Sequence, residues 1–171
     1  MHKLTQEEIT ESAAVLGAGR LQLADQDLQN FDLSGINLVG ARLTRCNLRG
    51  AILIKTQLTG ATLEYVDLQR ATLTETDLSR ADLYRADLRE VYFDHTNLAG
   101  AYLGSADLRG AVFANQTDLS EANLHFSDIR GADFSDAILQ GTNLKQARYN
   151  SKTKWPSGLL PEISGALLYE K

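Results

Sequence analysis

Hydrophobic residues recur along this chain with a period of five. From Leu23 to Phe113 every fifth position is Leu or Phe, 19 positions in an unbroken row. After a slip of one residue the row resumes at Leu119 and runs through Leu124, Ile129, Phe134, Leu139 and Leu144 to Tyr149, adding seven. Of these 26 centres, 21 are Leu. The residue two before each centre is usually small, as at Ala41, Ala61, Ala81 and Ala101, with Cys46, Thr56, Thr76 and Thr96 in the same slot elsewhere. The residue one before is often Asp or Asn.

A period of five matches neither the 3.6 of a helix nor the 2 of a strand. The small residue and the centre are two apart, so they share one face of a short extended segment. The other positions include turn formers, with Gly at 35, 40, 50, 60, 100, 110, 131 and 141. Short extended pieces alternating with corners coil the chain with Leu and Ala inside. Successive coils then stack at the strand spacing of ~4.8 Å.

The aromatic centres bear on how many repeats make one coil. Phe93, Phe113 and Phe134 lie 20 and 21 residues apart, and the extra residue falls at the frame slip between Phe113 and Leu119. Four repeats per coil align Asp27, Asn47, Asp67, Asp87, Asp107 and Asp128 in one column. Gln29, Arg49, Gln69, Arg89, Arg109 and Arg130 then align beside it. A ten-residue period accounts for part of the same pattern. We number the sides of the coil from this column. Side one holds Asp27, side two begins at Asp32, and side four holds Tyr65.

Runs such as Ala81-Asp82-Leu83-Tyr84-Arg85 and Ala106-Asp107-Leu108-Arg109-Gly110 resemble the A(D/N)LXX motif of pentapeptide repeat proteins. The resemblance covers about residues 21–149. It implies an all-β fold, a right-handed quadrilateral parallel β-helix with four repeats per coil. The 26 repeats would make about six and a half coils, a rod ~30 Å long. The segment from Tyr149 to Pro156 is similar to the closing stretch of many cyanobacterial members.

An open solenoid end exposes unpaired backbone and core side chains, so the ends need covers. Thr5 and Glu8 are spaced as a capping box, with Leu4 and Ile9 placed as its hydrophobic staple. Ile9, Ala13 and Leu16 share one helical face, and Gly17 or Gly19 is positioned to end the helix. The sequence thus predicts a short capping α-helix over 5–16 within an N-terminal cap, 1–20. Residues 21–149 form the β-helix and 150–171 an irregular C-terminal cap. In that last segment Trp155, Leu159, Leu160 and Ile163 are available to cover the final coil, or to join two copies as a dimer.

The net charge of −5 argues against direct nucleic-acid binding, which needs a basic surface. No apolar run approaches the roughly 18 residues of a membrane span. The acidic start lacks a signal core, and a single cysteine fits a reducing compartment, so the expectation is a cytoplasmic protein, a monomer more readily than a dimer. Cys46 occupies an inward slot and reads as an inert buried thiol. The inward threonines read as structural, bonded to backbone or to one another between coils. Stacked carboxylates repel by about 1 kcal/mol per pair in water, which side-chain bonds to the turn backbone and the neighbouring Arg ladder offset. His2, His95 and His125 fall in no ligand spacing, and no catalytic, metal or cofactor motif appears.

Two outward features have a less complete structural explanation. Side two carries Ile52, Ile54, Tyr92 and Val112, where polar residues are commoner in the family. Side four carries Tyr65, Tyr84, Tyr102 and Phe126 on successive coils, near Arg42, Arg45 and Arg85. Tyr and Arg are enriched at protein interfaces, while stacked aromatics also stabilise a β-ladder by themselves. The leading expectation is a non-catalytic protein–protein interaction or scaffold module, regulatory roles included. The family resemblance supplies an alternative, a DNA-mimic inhibitor or protector of DNA gyrase or another type II topoisomerase, for which the Asp column speaks and the Arg ladder counts against. The inserted residue near Ala114-Asn115-Gln116-Thr117-Asp118 should bulge its corner, either as a tolerated insertion or to re-aim a binding side chain.

Overall fold

The computed structural model describes residues 4–16, 19, 21–159, 161 and 164–170, with the side chain of Leu16 left out. Its elements are helix α1 (Gln6–Leu16) and strands β1 (Tyr92–Asp94), β2 (Val112–Ala114), β3 (Arg148–Tyr149) and β4 (Leu167–Leu168). Most of the solenoid is held by single-residue parallel bridges rather than strands, because each repeat offers only a short extended piece before its corner.

The bridges fix the register. Gln22 pairs with Arg42, Arg42 with Thr62, Thr62 with Asp82 and Asp82 with Tyr102, all parallel and 20 residues apart. The other three sides are bridged in the same step, from Asp27 to Asn47, Asp32 to Ile52 and Asn37 to Gln57. The 20-residue alternative read from the Asp column is the one the chain adopts. Hydrogen bonds run both up and down: Leu43 N–H donates to Thr62 O (2.8 Å), and Thr62 N–H donates to Ala41 O (2.9 Å). Cys46 N–H closes its corner on Leu43 O (3.0 Å), as do its counterparts around the coil. The backbone is thereby satisfied without a wide sheet.

The core is one column of centres and small residues, with Leu28, Leu33, Leu38 and Leu43 fully buried. Inside side two, rings replace leucines. Phe93 stacks on Phe113 (4.7 Å between centroids), Phe113 on Phe134 (4.5 Å) and Phe134 on Trp155 (5.5 Å), all within 15° of parallel. The inward threonines bond to backbone, as expected: the hydroxyl of Thr56 donates to Leu33 O (2.8 Å) and that of Thr76 to Leu53 O (2.6 Å). Each such bond ties a side chain to the preceding coil.

The N-terminal cap forms by the predicted chemistry. Thr5 N–H donates to Glu8 Oε2 (2.7 Å) and Glu8 N–H donates to Thr5 Oγ1 (3.2 Å), which satisfies two end donors of α1. Ile9 and Ala13 bury against the first coil with Leu4 packed beside them. Asp32 N–H donates to Gln6 Oε1 (3.1 Å), fastening the helix to side two. Gly17 lies outside the described residues, and so do Leu160 and Ile163 of the expected C-terminal cover.

The C-terminal segment is more regular than expected. Lys154 bridges Asp133, and β4 pairs in parallel with β3, Arg148 with Leu167 and Tyr149 with Leu168. The chain therefore returns to lay one more rung on side one after the repeat has ended. Ala166 fills the buried slot that alanines hold in the repeats. Trp155 meets Tyr149 edge-on at 5.7 Å as well as stacking on Phe134.

The inserted residue is absorbed in one corner. Asn115 and Gln116 both take left-handed backbone (φ 50° and 60°), after which Asn97 pairs with Asp118, 21 residues on. The ladder resumes at once, with Leu98 N–H bonded to Asp118 O at 2.7 Å.

Candidate functional site

Side one is internally neutralised. Arg89 donates to both oxygens of Asp87 (2.8 and 2.7 Å), Arg109 to both of Asp107 (2.8 and 2.6 Å) and Arg130 to both of Asp128 (2.8 and 2.6 Å). Each carboxylate also accepts the backbone N–H two residues on, as Asp67 does from Gln69 at 3.0 Å. Burial raises the carboxyl pKa of Asp87 and Asp128, but the Arg89 and Arg130 bonds outweigh it and leave both below the ordinary value. Arg148 also reaches Asp128 (3.2 Å), and the ring of Tyr169 lies 5.2 Å from the Arg130 guanidinium carbon. Charge here is spent on the rod itself.

Side four is built differently. Tyr65 stands at a corner, Tyr84 one residue after a centre and Tyr102 one residue before a centre, on three successive rungs. Their rings nevertheless meet: Tyr65 contacts Tyr84 edge-on (6.0 Å) and Tyr84 stacks on Tyr102 (5.8 Å, 20°). Gly104 makes this possible. A Cβ there would sit 2.8 Å from Cζ of Tyr102, so the absence of a side chain lets the Tyr102 ring swing into the column that Tyr84 occupies below. Sequence spacing placed these tyrosines on one side but did not reveal that hinge.

The expected four-ring row is three rings and a separate pair. Phe126 packs against His125 (3.9 Å) instead of joining the tyrosines. Tyr65, Tyr102 and Phe126 are 46%, 39% and 53% exposed, while Tyr84 is half-buried between its neighbours. Arg85 lies over the rings, its guanidinium carbon 5.3 Å from the Tyr84 centroid and 5.9 Å from that of Tyr65. Arg45 turns away to Asp25 in a two-point ion pair (2.6 and 3.0 Å), which holds the Asp25 carboxyl below its ordinary range. Tyr65, Arg85 and Phe126 all hold left-handed backbone (φ 58°, 54° and 62°). That conformation disfavours bulky residues and is free to Gly.

On side two the structure pairs Tyr92 with Val112 through β1 and β2, but Thr72 stands between Ile52 and Tyr92. Ile52 and Tyr92 are exposed and Ile54 and Val112 half-buried. The four residues form two small apolar spots, not one patch.

Cys46 is buried, and its thiol donates to Leu23 O (2.7 Å). Burial pushes its pKa up to about 11, so no thiolate is held at neutral pH. His95 Nδ1 and Asn115 Nδ2 share Asp94 Oδ1 (2.9 and 2.6 Å) beside an open notch at the inserted corner, lined by Asn97, Gln116 and Asp118 among others. Among the described residues no three His, Cys, Asp or Glu side chains are grouped to hold a metal ion, and no helix is long and apolar enough to cross a membrane.

Comparison with known proteins agrees with this architecture. Pentapeptide repeats match in 8 copies over residues 21–53, 51–89, 86–115 and 117–148. No curated protein matches the chain. Among solved structures the chain is similar to HetL, a pentapeptide repeat protein involved in heterocyst differentiation regulation from the cyanobacterium Nostoc sp. strain PCC 7120. Identity is 23% and the TM-score 0.58, covering 98% of this chain and 93% of HetL. It also matches Rfr23 from the cyanobacterium Cyanothece 51142, at 22% identity and TM-score 0.39 over 88% of this chain and 99% of that one. A third match is QnrB1, a plasmid-mediated fluoroquinolone resistance protein, at 16% identity and TM-score 0.41 over 87% and 90% of the two chains. With repeat matches spanning nearly the whole coil, this chain belongs to the pentapeptide repeat family.

Proposed function

We propose that the protein is a non-catalytic protein–protein interaction or scaffold module that meets its partner through side four. The observation that carries this reading is the exposed Tyr65–Tyr84–Tyr102 stack with Arg85 laid across it. Large aromatic and Arg side chains supply most of the energy at protein interfaces when a partner buries them. Tyr65 and Phe126 stand at corners where Gly would cost the backbone less. The surface ring contacts they make there, Tyr65 on Tyr84 and Phe126 on His125, recover only part of what burial by a partner would give. The solenoid beneath is tied coil to coil, so the rings are presented with little ordering cost on binding.

A regulatory scaffold of the sort named for HetL falls within this reading, and the partner would define it. The DNA-mimic reading has less support. A surrogate for duplex phosphate needs unbalanced negative charge, whereas the Asp column of side one is matched by Arg89, Arg109 and Arg130 within its own repeats. The reading also takes the coil as right-handed, as the family resemblance implies, and as four-sided with about six and a half turns, supported by the 20-residue register and the 26 repeats. The single buried free cysteine supports a reducing, cytoplasmic setting.

The test is capture from a lysate of the native organism by the wild-type chain, by Tyr84→Ala/Tyr102→Ala and by Ile52→Ser/Tyr92→Ser. A specific partner lost only with the tyrosines is the expected result. A partner lost only with the side-two variant would move the interface to side two. Recovery of no specific partner, together with inhibition of gyrase supercoiling by the pure protein, would replace this reading with the DNA-mimic one.

A further inference from the structure

Resting on the reading of side four as the contact face, we infer that its ligand is an acidic, extended peptide segment, with Arg85 as the residue that takes its carboxylate. Charge is the first argument. The chain carries a net charge of −5, yet the repeats of side four hold four cations (Arg42, Arg45, Arg85 and Lys145) against three carboxylates (Asp25, Glu64 and Asp82). Two of those carboxylates are already engaged. Asp25 holds Arg45, and Asp82 accepts the Tyr84 N–H at 3.0 Å. Among the described residues the Arg85 guanidinium has no carboxylate partner, in contrast to Arg89, Arg109 and Arg130 on the adjoining side.

Geometry is the second argument. Arg85 rests on the faces of Tyr84 and Tyr65, which orders the side chain and leaves its N–H edge for a two-point bond to a carboxylate. The exposed rings of Tyr65 and Tyr102 flank it and would cover apolar or aromatic residues beside that acid. From the Tyr65 rung to the Tyr102 rung is two steps, ~10 Å, which about three residues of extended chain span. The partner segment cannot add itself as a strand. The rung amides are spent between coils, as with Tyr65 N–H on Tyr84 O (2.9 Å) and Arg85 N–H on Gly104 O (3.0 Å). Recognition is left to side chains, and among the described residues the cation lying over these rings is Arg85.

The inference is tested by fluorescence anisotropy with two labelled synthetic peptides, (Glu-Tyr)4 and (Lys-Tyr)4, which share aromatic content and differ in charge. The wild-type chain should bind the acidic peptide about tenfold more tightly than the basic one, and salt should weaken that binding. Arg85→Gln should abolish the preference. Arg85→Lys should weaken the acidic peptide severalfold, since an ammonium lacks the planar fork. Arg89→Gln on side one should change nothing. Circular dichroism confirms that each variant keeps the fold. Equal binding of the two peptides, binding indifferent to Arg85→Gln, or no binding of either peptide would overturn the assignment. If a native partner were still captured through Tyr84 and Tyr102 in that case, side four would stand as the interface with another ligand chemistry.

Discussion

On opposite sides of the solenoid, rings stack at the rung spacing: Phe93, Phe113, Phe134 and Trp155 inside side two, Tyr65, Tyr84 and Tyr102 outside side four. The inner column is near-parallel and fully buried over its phenylalanines, so water exclusion and dispersion account for it completely. The outer column leaves Tyr65 and Tyr102 more than a third exposed, needs Gly104 to clear space for one ring, and puts Tyr65 in left-handed backbone. Stacking at the surface recovers only part of what burial would give. The same ring-on-ring contact is thus a core in one place and an uncovered surface in the other.

The comparison breaks first on stability. Phe113→Ala removes an interior ring of the inner column, with a partner on each face, and should cost about 3–5 kcal/mol in urea unfolding. A loss below about 1 kcal/mol would mean that the inner stack is not what holds side two. Thr76→Val, which deletes the hydroxyl bond to Leu53 O without a large change of volume, should cost about 1 kcal/mol.

Acid should act next, with the side-one carboxylates among the groups that respond. The folded chain holds the carboxyls of Asp87 and Asp128 below their ordinary 3.8, against the opposing push of burial. The unfolded chain therefore takes up protons first as pH drops. The stabilisation is complete above the unfolded value and is lost as pH falls through the lower folded values. Melting temperature should be flat from neutral pH down to about 5 and decline below 3.8. Arg130→Gln should flatten that decline.

The smallest effects belong to side four. Tyr84→Ala should cost less than about 1 kcal/mol, the worth of a cross-rung surface pair. Phe126→Gly should cost nothing or gain up to about 1 kcal/mol, because Gly accepts the left-handed corner without strain. A large loss in either would make the outer rings part of the fold.

How much of this was legible in the chain follows from what repeats. The five-residue row placed every buried centre, and the Asp and Phe columns pointed to the 20-residue register. The capping box at Thr5 and Glu8 followed from local chemistry that needs no tertiary knowledge, and the bonds of the inward threonines followed once the coils were stacked. What escaped was non-periodic. The strand at Leu167 and Leu168 lies beyond the last repeat, joined by a segment with no five-residue frame, so nothing marked it as one more rung. The stack of Tyr102 on Tyr84 runs between coils and turns on the missing side chain at Gly104, and spacing alone put Phe126 in the tyrosine row when its ring pairs with His125 instead. Side two, read as one aliphatic face, is divided by Thr72.

The measurement that tests the central claim most directly pairs a urea melt with partner capture for Tyr84→Ala/Tyr102→Ala, set beside Phe113→Ala. The account predicts near-wild-type stability with the partner lost for the tyrosine variant, and severe destabilisation for the phenylalanine variant. A tyrosine variant that keeps its partner, or that unfolds as readily as Phe113→Ala, would contradict it.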